Sequence, residues 1–454
     1  MSLARLGPTG RLIALCIAVP AALVLMFLFW VVSGPGPLDF ARGKRVSLAD
    51  YKEADPTGPA AELDQADLVV RGDYLATVGD CAACHTAPGG EPFAGGLAFR
   101  LPFGTLYSPN ITADNETGIG KWTDEDFLRA MHKGISADGT RLYPAFPFTA
   151  YTHLTDKDVL AIKAYLFSVQ PAKNTPPENS LAFPFNQRWL MSIWSFFFNP
   201  AERFRPDADR PPEWNRGAYL VEALGHCGEC HTPRNLLQAV DNRSKFSGAV
   251  AAGWRAYNIT SSRQGGIGSW SDAELAQYLA TGHAEGRGTA TGPMGEAVDL
   301  SLSYLFDSDI QAIVTYLRSI PAIDTPDFPA PPNKAEPISG PRSVEGLDGT
   351  GEKLFAGACA SCHSWDGAGA LTPYASLLGS HAVNDHTATN VAQVIVAGAH
   401  RDALGAQGVM PSFGAAYSNV EIAALANYVT GHFGGVRSTL TAADVAALRE
   451  QVSK

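Results

Sequence analysis

Cys227-Gly228-Glu229-Cys230-His231 decides how this chain is read, because two more runs share its spacing: Cys81-Ala82-Ala83-Cys84-His85 and Cys359-Ala360-Ser361-Cys362-His363. C-x-x-C-H is the spacing of covalent haem attachment. The two thiols add across the haem vinyl groups, and the adjacent His reaches the iron from one face. A single run could be a zinc half-site or a redox dithiol. Three runs, each ending in His and each followed by a similar length of chain, point to three haem c groups. Cys81, Cys84, Cys227, Cys230, Cys359 and Cys362 are then the attachment points. His85, His231 and His363 are the proximal ligands.

Composition agrees. The chain has 454 residues, room for about three domains. Of its 7 cysteines only Cys16 lies outside the motifs, so no disulfide framework remains. Haem is attached to such motifs outside the bacterial cytoplasmic membrane, which places the bulk of the chain on the periplasmic side. A net charge of -11 argues against nucleic acid and suits a basic redox partner or simple solubility.

Arg5 and Arg11 precede an apolar run from Leu12 to Val32 broken only by Pro20. The run can span a bilayer as a helix, and the basic flank predicts its N-terminus inside. A cleaved signal peptide would be shorter and end in small residues. This run ends in Phe27-Leu28-Phe29-Trp30-Val31-Val32, so residues 1–33 are expected to be a retained anchor in the inner membrane. Residues 34–65 read as a tether.

The expected fold is mainly α: three tandem cytochrome c-type domains after the N-terminal transmembrane helix. They span 66–175, 210–325 and 345–435. Each opens on a helix carrying Gly72, Gly217 or Gly351 and closes on one carrying Tyr165, Tyr316 or Tyr428. The glycine lets the helices cross closely and the aromatic fills the crossing. Thr123, Thr155, Ser271, Ser418 and Thr441 each precede an acid three residues on (Asp126, Asp158, Glu274, Glu421 and Asp444), the pattern of a capping box. Capping accounts for those acids. Asn110-Ile111-Thr112 and Asn258-Ile259-Thr260, followed by Trp122 and Trp270, recur in the first two domains only. A structural role there, or donation to haem propionates, outweighs glycosylation. The linker 176–209 holds an aromatic run, Phe183 to Phe198, that either packs between domains or docks a partner or the bilayer surface. The linker 326–344 is Pro-rich, and 436–454 is a tail with a short helix.

A haem iron held by one His takes a sixth ligand or stays open, and Met raises its potential. Met410 and Met294 lie in the loops before the closing helices of the third and second domains and are the candidate ligands. The first domain has Phe146 at the comparable place. Its ligand could be His153 in the same loop, Met131 or His132 on the preceding helix, or nothing; His153 is the candidate taken. His226, His283, His381, His386, His400 and His432 read as surface or loop residues.

Arg71-Gly72-Asp73-Tyr74-Leu75, Ser108-Pro109-Asn110-Ile111-Thr112, Phe185-Asn186-Gln187-Arg188-Trp189-Leu190-Met191, Trp214-Asn215-Arg216-Gly217-Ala218-Tyr219-Leu220, Gly225-His226-Cys227-Gly228-Glu229-Cys230-His231-Thr232-Pro233-Arg234-Asn235 and Gly292-Pro293-Met294 resemble the triple-haem cytochrome c subunits of membrane-bound bacterial dehydrogenases. Members of that family often carry Met where Phe146 stands. The resemblance implies a separate catalytic subunit, a quinoprotein, flavoprotein or molybdopterin/iron–sulfur enzyme of the alcohol/aldehyde class, passing electrons through the haems to ubiquinone. The chain itself has no nucleotide loop or catalytic triad. Rival readings are a haem enzyme with an open first haem, and a stand-alone carrier to a terminal oxidase.

Overall fold

The computed structural model describes residues 8–325, 327, 349–401 and 408–452. Most of the Pro-rich linker 326–344 therefore lies outside the described residues, as does Arg5. Helix α1 (Pro8–Val32) contains the apolar run, with Pro20 inside it. Several side chains of its first half are not described, and among the described residues no helix is long and apolar enough to cross a membrane. From Leu23 to Trp30 its large apolar side chains stand exposed. Its end is held: Arg243 donates to the Trp30 carbonyl and stacks over the Trp30 ring at 4.2 Å.

Three regions follow. The first contains α2 (Leu68–Val78), α3 (Asp124–Lys133) and α4 (Asp156–Ser168). A short helix α5 (Leu190–Phe198) leads to the second, with α6 (Pro212–Tyr219), α7 (Asp272–Thr281), α8 (Gly292–Leu300) and α9 (Asp307–Arg318). The third contains α10 (Thr350–Ala358), α11 (Thr389–Ala397), α12 (Asn419–Val429) and α13 (Ala442–Val452). Strands are few and short, pairing as small antiparallel hairpins.

In each region the opening helix crosses the closing helix at the expected glycine. A Cβ on Gly72, Gly217 or Gly351 would stand 1.9, 2.0 or 2.3 Å from the carbonyl oxygen of Ala161, Ala312 or Ala424. The Cβ atoms of Tyr165, Tyr316 and Tyr428 close the same crossings. Backbone against backbone is possible there only without a side chain. Thr123, Ser271 and Ser418 form the expected capping boxes. Thr155 caps α4, but the Asp158 carboxylate turns away from the cap to other partners.

Two boundaries differ from the sequence expectation. The first and second regions share one continuous apolar core, running from Ala41 to Ile320, rather than standing apart on a linker. The third has its own core. Helix α13 is no tail: Val445 and Leu448 enter the third core, and Arg449 donates to Asn419 and to the carbonyls of Gly414 and Tyr417. On α5, Trp194 packs against Phe148 and donates to the Leu237 carbonyl, while Trp189, Ile193 and Phe196 face outward. The aromatic run thus packs on one side and is open on the other.

Candidate haem sites

Each C-x-x-C-H run forms a single helical turn whose histidine is oriented in the same way. His85 Nδ1 lies 2.9 Å from the Pro109 carbonyl oxygen, His231 Nδ1 lies 2.7 Å from that of Tyr257, and His363 Nδ1 lies 2.7 Å from that of Ala375. A carbonyl only accepts, so each Nδ1 carries the proton and each Nε2 keeps its lone pair. That is the tautomer an iron ligand needs, fixed by its outer hydrogen bond. Burial holds all three imidazoles below their ordinary pKa, which keeps them neutral.

The cysteines fit haem better than the alternatives. A redox dithiol needs a thiol of lowered pKa near cations or a helix N-terminus. Here burial pushes Cys81 and Cys227 up to about 12, and Cys359 to about 11. Among the described residues no three His, Cys, Asp or Glu side chains converge as the closed ligand set of a structural zinc would require. A cavity of about 440 Å³ opens beside Pro109, lined also by Tyr107, Tyr143 and Arg188. The donor set and the tautomers suit a large flat group tethered at the cysteines.

The frame around the first and second sites is the same bond for bond. Thr86 and Thr232 accept from the backbone N–H of Phe93 and Phe246. Gly95 and Gly248 donate to the carbonyls of His85 and His231. Asn110 accepts from the N–H and hydroxyl of Thr112 and donates to the Ala172 carbonyl; Asn258 does the same with Thr260 and Ile323. These Asn and Thr groups are therefore spent on clamping the chain beyond the closing helix, and do not serve as propionate donors. Trp270 Nε1 is different: it is buried without a hydrogen-bond partner among the described residues.

The first two regions meet through a pseudo-twofold pair of bonds. Tyr74 donates to Asp309 at 2.7 Å, and Tyr219 donates to Asp158. Arg216 grips both oxygens of Asp309 at 2.7 Å, while Gly58 N–H donates to Asp158. Within the second region Glu222 accepts from Lys245 at 2.6 Å and from Tyr316. The attachment turns come together at the seam: a Cβ on Gly79 would lie 3.6 Å from Cys81 Sγ and 3.5 Å from Leu224 Cδ1, and one on Gly225 would lie 3.8 Å from Cys227 Sγ and 3.9 Å from the Val78 oxygen. His226 packs edge-on against Tyr151 in this junction. Sequence reasoning set it aside as a loop residue. It did the same with His283 and His432, both buried here.

The third region touches the second through polar and ring contacts instead. Arg255 pairs with Asp385 at 2.6 Å, Asn390 bonds both the N–H and the carbonyl of Arg255, and Tyr257 stacks on His381 at 5.0 Å.

On the distal side, Gly134 and Gly282 end α3 and α7 in the left-handed conformation, and each begins a hairpin of the same register. Gly398 ends α11 with positive φ and also begins a hairpin. Phe146, Met294 and Met410 stand equally far beyond these three glycines. Met294 sits in the first turn of α8 rather than in a loop, and Met410 ends a strand. His153 stands elsewhere. Its carbonyl accepts from Phe204 N–H, and burial, with Lys245 and Arg203 adding to it, brings its pKa down to about 4. Met131 is a core residue, buried among apolar side chains. His132 is buried, with Nδ1 2.5 Å from an Arg203 Nη2 that can only donate.

Comparison with known proteins agrees with this geometry. The family model described as cytochrome c matches residues 69–170 and 350–432, bracketing the first and third motifs. The chain is 41% identical to the fructose dehydrogenase cytochrome subunit of Gluconobacter japonicus, over 87% of this chain and 85% of that protein. It is 38% identical to the gluconate 2-dehydrogenase cytochrome c subunit of Pantoea cypripedii, over 85% and 91%. It is 34% identical to the cytochrome c subunit of the quinone alcohol dehydrogenase of Gluconacetobacter polyoxogenes, over 86% of each chain. On this likeness, and on three histidines locked for iron beside paired cysteines, the chain belongs to the cytochrome c family, among the cytochrome c subunits of dehydrogenases.

Proposed function

We propose that this chain carries electrons through three covalently bound haem c groups, from a catalytic dehydrogenase subunit on the periplasmic side to ubiquinone in the inner membrane. The observation that carries the reading is the threefold repeat of one device: paired cysteines, then a histidine whose Nδ1–H is tied to a carbonyl. When bound, the haems supply one-electron storage. The chain supplies covalent tethers, three neutral imidazoles, and Met294 and Met410 as ligands that raise potential.

Close contact between the Val78–Cys81 and Leu224–Cys227 segments favours rapid exchange between the first and second groups. The relatives named above are cytochrome subunits of dehydrogenases named for different substrates. Substrate choice therefore belongs to the partner, whether quinoprotein, flavoprotein or molybdopterin/iron–sulfur enzyme. Helix α1 is the proposed single membrane span, and α5, which turns an aromatic face outward, bonds through Trp194 to Leu237 in the same 237–243 stretch that holds the end of α1. Both features suit a chain resting on a bilayer.

The test is purification from membranes. A mature chain heavier by three haems, eluting with a dehydrogenase and reducing a ubiquinone analogue with that enzyme's substrate, is the expected result. A haem-loaded cytochrome with no partner and no quinone reductase activity would point to the stand-alone carrier instead.

A further inference from the structure

The first two distal loops start from equivalent glycines and share a hairpin register, so their ligand positions can be compared directly. The second carries a thioether and the first carries a benzyl group. Phe146 is not loose there. Its ring packs edge-on against Tyr151 at 5.5 Å. Tyr151 is buried, donates to the Gly79 carbonyl at 3.1 Å, and lies close enough to Cys81 and Cys84 to feel both thiols electrostatically. The pair therefore stands on the side of the first region where a haem would be tethered.

Among the described residues, His132, His153, Met131 and Tyr151 are each committed elsewhere. Arg203 forces His132 Nδ1 to accept, which leaves the proton on Nε2 and no lone pair for iron. His153 bonds through its ring to the Glu202 backbone, and its own carbonyl accepts from Phe204 N–H. Met131 occupies the register of Leu279 in the second region, where the side chain is core. The Tyr151 hydroxyl is buried and neutral, and is spent on Gly79.

We infer that the chain gives the iron of the first haem one axial ligand, His85, and that Phe146 and Tyr151 form an apolar distal wall that admits a neutral diatomic molecule. This rests on the haem reading above. An apolar wall offers no hydrogen bond to an anion and penalises its burial, so the class selected is carbon monoxide or nitric oxide rather than azide or cyanide. Binding is addition only: the diatomic donates a lone pair to ferrous iron, and nothing is oxidised or displaced.

The probe is carbon monoxide, added to the reduced, full-length, haem-loaded protein. Haem is counted first by mass and by the alkaline pyridine spectrum. The expected result is uptake of about one carbon monoxide per chain, with a high-spin ferric signal of matching size before reduction. Phe146→Met should abolish both and add a sulfur-to-iron charge-transfer band, whereas Phe146→Leu should leave both in place. Three haems that are all low-spin and take up no carbon monoxide would overturn this inference and leave the electron-transfer reading intact. Uptake unchanged in Phe146→Met would also overturn it. Fewer than three haems by mass would instead strike the earlier reading.

Discussion

The first and second regions are built on one frame and differ at the distal position. Helix crossing, Thr–Phe bond, Asn–Thr clamp and His–carbonyl bond recur with the same partners. The distal residue is Phe146 in one and Met294 in the other. The frame positions a tethered haem, and the ligand sets what its iron does. Because the frame does not depend on the ligand, one substitution can change the chemistry of a site without rebuilding it.

The comparison breaks most readily at the crossings. Gly217→Ala drives a Cβ to 2.0 Å from a backbone oxygen, and Gly72→Ala to 1.9 Å. Backbone cannot yield as a side-chain tip can, so each should cost about 3 kcal/mol, the upper end of overpacking. If the frames are equivalent, the two variants lose nearly equal stability by chemical unfolding, and both unfold the shared core. A large loss at only one of them would show that the crossings are not interchangeable.

The ligands should separate what the frames do not. Met294→Leu should lower one of three midpoint potentials by on the order of 100 mV, with the haem still attached. Phe146→Leu should move none of them by a comparable amount. A redox titration unchanged by Met294→Leu would remove Met294 from the iron.

The seam offers a symmetric test of smaller size. Tyr74→Phe removes a donor from Asp309, and Tyr219→Phe one from Asp158. Each leaves a buried carboxylate one bond short, at about 1–2 kcal/mol. The first should be milder, because Arg216 still grips Asp309 with two bonds, whereas among the described residues Asp158 keeps Gly58 N–H alone. Thermal unfolding of both variants at one pH gives the comparison directly.

Much of this was legible in the chain because it depends on local spacing. C-x-x-C-H fixes the tethers, and the glycine–aromatic pairing of the first and last helices gave the crossings correctly. Counting from the glycine after the preceding helix equates Phe146 with Met294. What could not be read depends on pairing across the fold. Asp158 looks like an ordinary capping acid and Asp309 like an ordinary first-turn acid until the seam supplies their tyrosines. Lys245 and Glu222 carry no motif, yet they form a buried ion pair. Asn110 and Asn258 were visible as a repeat, but their partners, the carbonyls of Ala172 and Ile323, lie beyond the closing helices. The shared core also escaped, because an aromatic, proline-flanked linker looks the same whether it separates two units or is folded back between them.

The smallest effect separates the regions by acid. His132 has Ala280 as its counterpart in the second region. Burial, with Arg203 adding to it, lowers the His132 pKa from 6.5 to about 4, against the opposing pull of Asp156. The unfolded chain therefore takes up this proton before the folded one does. Stability from the neutral ring is fully present above pH 6.5 and is lost as pH falls towards 4. The loss should be on the order of 1 kcal/mol at about pH 5.5. Amide protection factors along α3 should fall over this window while those along α7 do not, and His132→Gln should flatten the difference. Equal acid sensitivity of the two helices in the unaltered protein would mean that the proton is taken up elsewhere in the shared core.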